Sequence, residues 1–143
     1  MPLIKYTRNN NGTYGPTVNN HYYISKLDHR RTAKRKKGKN RWDITEGEEF
    51  SVFKPSVENF DDWYCKENRC IFSLIDKGDV ILGRSGERLA KFPNNRNDGE
   101  PWHGYPVFTE DPQNCPSVEL LERWKTEKKV PLHIIVRIER GSL

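Results

Sequence analysis

The sequence predicts an α+β fold: a small antiparallel sheet, curved or barrel-like, with one C-terminal helix followed by a final strand. Three observations carry this. Short apolar runs at 70–75, 80–83 and 88–92 are separated by Asp76-Lys77-Gly78-Asp79 and Arg84-Ser85-Gly86-Glu87, hairpin chemistry in which glycine accepts positive φ. Residues 116–129 have the stop, cap and charge pattern of a helix, and residues 132–138 alternate like a strand.

Taken in order, residues 21–27 read as a short strand. Residues 26–41 hold nine Lys/Arg and read as a loop, or as a helix only when bound. From Trp42 the chain looks β-like: Ile44-Thr45, a turn around Gly47, then Phe50-Ser51-Val52-Phe53 alternating until Pro55 ends the run. Residues 57–69 fit a short helix or an irregular loop. The three apolar runs then make a β-meander. Residues 93–106 lack periodicity and read as a long loop. At Pro116-Ser117 a helix begins, with Val118, Leu121 and Trp124 on one face, Glu119 and Glu122 near its positive end, and Lys125, Lys128 and Lys129 at the far end. Pro131 blocks further helix, and Leu132, Ile134, Val136 and Ile138 form the apolar face of the final strand.

The 143 residues suit one domain, but charge and apolar content are unevenly spread. Residues 1–41 hold 11 Lys/Arg against one acid, and residues 42–143 hold 14 against 19, within an overall net charge of +5. Leu, Ile, Val and Phe supply 5 of the first 41 residues and 27 of the rest. Hydrophobic burial drives folding, so the expectation is a basic, partly flexible arm over 1–41 and a compact domain over 42–143. No run of ~18 apolar residues exists for a membrane span, and the polar first residues do not read as a signal peptide. Cys65, Cys70 and Cys115, an odd count, suggest free thiols in a reducing, intracellular compartment.

The strongest functional signal is the basic run. Arg30, Arg31, Lys34, Arg35, Lys36, Lys37, Lys39 and Arg41 are expected to contact phosphates, since displaced counterions reward local charge density. Trp42 is expected to stack on bases. The competing accounts are a solvated tether, an import signal or anionic-membrane patch, and an arm neutralised by the chain's own acids, of which Asp43, Glu46, Glu48 and Glu49 follow directly.

The 93–106 loop is the second signal, because long loops in compact domains are usually functional or disordered. Arg96 and Trp102 join the expected nucleic-acid contacts. His103 is a candidate general acid or base, with Arg84, Arg88 or Arg96 to hold phosphate and His133 as a second imidazole; together these describe a metal-independent, toxin-like ribonuclease. A third reading is an adaptor that binds a protein through Trp102 and Tyr105. The plain account is a Trp-His-Tyr plug anchoring the loop. No cofactor is expected, and no metal: Cys65-x4-Cys70 lacks the usual Cys-x2-Cys knuckle. Walker, dinucleotide-binding, nucleophile-elbow and zincin motifs are absent.

Overall fold

Two mostly apolar segments, buried on consecutive rather than alternate residues, organise the chain. The computed structural model describes residues 3–34, 40–97 and 99–143. In it these segments are the inner strands β2 (Cys70–Ser73) and β3 (Leu89–Pro93) of a sheet completed by β1 (Tyr64–Cys65) and β4 (Tyr105–Val107). The order is β1-β2-β3-β4, with each strand antiparallel to the next. The sheet is open, not a barrel, with β1 and β4 at its edges.

All four residues of β2 and the first four of β3 are buried, which requires cover on both faces. One face carries Ile71, Ala90 and Phe92 and packs against Phe50, Phe53 and Val57 of α1 (Glu46–Glu58). The other carries Cys70, Phe72 and Leu89. It packs against Leu120, Leu121 and Trp124 of α3 (Val118–Thr126) and against Ile134, Ile135 and Ile138 of α4 (Leu132–Glu139). The short helix α2 (Phe60–Trp63) leads into β1.

Four expectations of secondary structure change. Residues 46–58 form a helix, not β-structure. Thr45 and Glu48 make a capping box: the Glu48 amide donates to Thr45 Oγ1 at 3.4 Å and the Thr45 amide donates to Glu48 Oε1 at 3.0 Å. That reciprocal pair satisfies two amides a helix start leaves orphaned, and the alternation at 50–53 is too short to outweigh it.

The expected final strand is also a helix. Apolar residues at 132, 134, 135, 136 and 138 satisfy both periods, but Pro131 starts the element instead of stopping it: its carbonyl accepts from the amides of Ile134 and Ile135, both at 3.0 Å. The helix buries Ile134, Ile135 and Ile138 together and leaves Leu132 67% exposed, whereas a strand would have aligned Leu132 with Ile134. The expected strand at 80–83 reduces to a turn in which the Leu82 and Gly83 amides both donate to the Glu87 carbonyl.

The described part of the amino-terminal segment packs on the first core cluster. Tyr14 and Tyr23 are 5% and 0% exposed and exchange two backbone hydrogen bonds, of 2.8 and 2.9 Å. Gly47 shows how closely the segment lies on α1, since a Cβ there would collide with the backbone of Tyr6. Residues 21–27 form no regular strand; Tyr23 instead bridges to Tyr14 and to Trp102. Among the described residues no helix is long and apolar enough to cross a membrane.

Candidate functional site

The site is built where two distant segments meet. The Trp102 amide donates to the Tyr22 carbonyl and the Ile24 amide to the Trp102 carbonyl, both at 2.8 Å. This pairing brings the segment leading to β4 beside residues 22–24. Gly104 then lies flat on β3: a Cβ there would overlap the Phe92 ring and the Lys91 carbonyl. Its own carbonyl accepts from Trp42 Nε1 at 3.1 Å. His103 and Tyr105 flank this pinned glycine. Opposite them, Lys26 precedes and His29 ends a single 3-10 turn over Leu27–His29, closed by a 3.0 Å bond from the His29 amide to the Lys26 carbonyl.

Each pair contributes one residue to each of two hollows. The first, about 700 Å³, is lined by Lys26, Asn94, Asn95, Arg96, Glu100 and His103. The second, about 310 Å³, is lined by His29, Asn40, Lys91, Tyr105, Asp111 and Asn114. The hollows therefore share the 26–29 turn and the 103–105 segment as walls.

The first hollow is cationic. Burial holds the His103 pKa below the usual imidazole value, and Lys26, His29 and Arg96 push it the same way, with Glu100 opposing. A half-buried imidazole in that setting is neutral near pH 7, ready to accept a proton or a hydrogen bond. Lys26 and Arg96 have no carboxylate within 4.0 Å among the described residues.

The expected site residues separate into groups. His103 and Arg96 share the first hollow. Arg84 and Arg88 do not line it: Arg84 sits 3.7 Å from Asp43 and donates to the Arg31 carbonyl, while Arg88 donates to the carbonyls of Gly78 and Asp79. His133 is exposed on α4. Trp42 is fully buried and stacked on Phe92, so it is not available to bases; Trp102 is 5% exposed and packed on Phe53. Arg30 turns inward, donating to Ser25 Oγ and O and lying 3.5 Å from Glu46. Arg31 and Lys34 are exposed, and Arg41, half-buried, donates to the Ala33 carbonyl. Arg35, Lys36, Lys37 and Lys39 lie outside the described residues. Among the described residues, no carboxylate comes within 4.0 Å of Arg31, Lys34 or Arg41.

The acids after the basic run do not act as a block. Asp43 lies beside Arg84, Glu46 beside Arg30, and Glu48 caps α1. Glu49, 0% exposed, accepts from the hydroxyls of Tyr23 and Ser25 at 2.7 and 2.9 Å.

Sequence reading missed Lys26 in the first hollow and His29 and Lys91 in the second. One local signal was available: a lysine inside the apolar stretch Leu89-Ala90-Lys91-Phe92-Pro93 must reach a polar partner once that strand is buried. Comparisons with family models, curated proteins and solved structures find no match. The reading of this α+β domain therefore rests on its own geometry.

Proposed function

We propose that the protein binds nucleic acid through its phosphates, at the hollow that gathers Lys26, Arg96 and His103, with the basic run ending at Arg41 adding further contacts. The supporting observation is that Lys26 and Arg96 stand around His103 with Glu100 as the one carboxylate in the lining, and with no carboxylate within 4.0 Å of either cation among the described residues. A phosphate seated there relieves the mutual repulsion of those groups and releases its own counterions. Because Trp42 and Trp102 are buried, charge rather than stacking on these rings carries the affinity, and sequence preference is weak. The test is fluorescence anisotropy with mixed-sequence oligonucleotides over a salt series. Affinity is expected to fall linearly on a log–log plot, and Lys26→Ala with Arg96→Ala to flatten the slope by about 2, roughly one per lost phosphate contact. A salt-independent response, or a slope the double variant leaves unchanged, refutes the reading.

One observation favours a second reading, metal-independent cleavage of the bound strand: the neutral imidazole of His103 beside two cations has the form of a general base with phosphorane-stabilising partners. Arg84, Arg88 and His133 take no part in it. Cleavage that persists in EDTA, is lost in His103→Ala and keeps its acid limb below the usual imidazole pKa of about 6.5 supports this reading; intact RNA after prolonged incubation rejects it.

A further inference from the structure

The second hollow contains an uncompensated buried cation. Lys91 is 8% exposed, and its Nζ donates to the Gln113 carbonyl at 2.7 Å and to Asn114 Oδ1 at 3.1 Å. An ammonium has three protons to donate, and among the described residues no carboxylate lies within 4.0 Å of it. Buried charges are ordinarily paired, because the loss of hydration is costly without a counter-charge. Asp111, on the rim, is exposed, and its Oδ1 already accepts from the Gln113 amide.

The remaining walls suit an anion with several oxygens. His29 Nδ1 lies 2.6 Å from the Asn40 carbonyl, which can only accept, so Nδ1 carries a proton. The ring is held against Tyr105 at a centroid distance of 4.8 Å and an interplanar angle of 20°. Burial raises the Tyr105 pKa and keeps its phenol a donor. The volume of about 310 Å³ lies at the small end of ligand pockets.

We propose that this hollow is a phosphate-group site in which Lys91 Nζ supplies the charge and His29 and Tyr105 supply the walls. A phosphate offers more acceptor oxygens than a carboxylate, and the third Lys91 proton and the Tyr105 hydroxyl are donors it can use. The group arrives either as free phosphate or as the terminal phosphate of an oligonucleotide threaded from the neighbouring hollow. Only the second source rests on the nucleic-acid reading.

The experiment titrates inorganic phosphate into isotopically labelled protein at constant ionic strength, following the Asn114 side-chain amide and the Gln113 and Asn114 backbone amides by NMR. A saturable shift confined to these signals is expected, weakened tenfold or more by Lys91→Met, which keeps length and removes charge. Absence of saturation, or an affinity that Lys91→Met leaves unaltered, overturns the proposal. If that variant does not fold, Lys91→Arg with Tyr105→Phe replaces it, and an affinity unchanged in both variants overturns the proposal likewise. A 5′- or 3′-phosphorylated trinucleotide that binds at least tenfold tighter than its unphosphorylated form identifies the terminal phosphate as ligand; equal binding of the two, with inorganic phosphate still saturating, identifies free phosphate. Saturation by phosphate together with no oligonucleotide binding keeps this site and removes the nucleic-acid reading alone.

Discussion

Glu49 and Lys91 are both buried ionisable groups, one on each side of the sheet, and the fold treats them in opposite ways. Glu49 is buried on α1, beside Phe50, and is held by the hydroxyls of Tyr23 and Ser25. Burial pushes its pKa up to about 8, so in the folded protein at neutral pH it is mostly a neutral carboxylic acid. Lys91 sits near the edge strand, where a hollow reaches it, and it is met by a carbonyl and an amide oxygen. Access to a hollow is what separates the two groups. A charge sealed from water resolves its cost by taking up a proton. Lys91 instead meets neutral oxygens and lines a hollow.

The comparison breaks most directly at Glu49. Its folded pKa of about 8 exceeds the ordinary 4.5, so the folded state holds a proton that the unfolded state releases between those values. The stability this provides is complete below pH about 4.5 and is lost as pH rises through 8, at a steepest slope of roughly 1.4 kcal/mol per pH unit, several kcal/mol in all. Glu49→Gln, which does not titrate, is expected to flatten that slope and to exceed the wild type in stability above pH 8. Urea denaturation at pH 5, 7 and 9 measures it, and parallel wild-type and variant curves count against the assignment.

Tyr23→Phe sharpens the same contrast at smaller cost. It removes the 2.7 Å donor to Glu49 Oε1, with an expected loss of ~1–3 kcal/mol from an unsatisfied buried acceptor. Because that hydrogen bond favours the carboxylate, the variant is expected to move the pH dependence upward. A stability change with no movement of the pH midpoint means that the phenol only fills space.

Parts of this design were legible along the chain. Ser117 caps α3, its Oγ accepting from the Leu120 amide at 3.2 Å, as the pattern at Pro116-Ser117 predicts. Leu121 and Trp124 are buried as expected, but Val118, assigned to the same face, is 76% exposed. The α+β mixture was also readable. Thr45-x-x-Glu48 has the spacing of a capping box, but the sequence reading followed the apolar alternation just after it and expected β-structure there. The three cysteines are free, with Cys65 opposite Cys70 in the β1–β2 register and burial raising the Cys70 thiol to about 12. Of the candidate site, only His103 and Arg96 were recognisable as neighbours, because they share one loop.

By itself the sequence determined what short-range chemistry controls: the cationic excess of the first forty residues, the caps, the turn glycines and the apolar stretches that had to become core. Tertiary structure alone decided which cations stayed outside. Arg30 folds inward onto Ser25 and Glu46, Trp42 disappears beneath Gly104, and Lys26 meets His103 because residues 22–24 pair with Trp102. The last two join positions roughly sixty to eighty residues apart. They follow from satisfying buried backbone and covering both faces of one sheet, a condition on the whole chain that no local window contains.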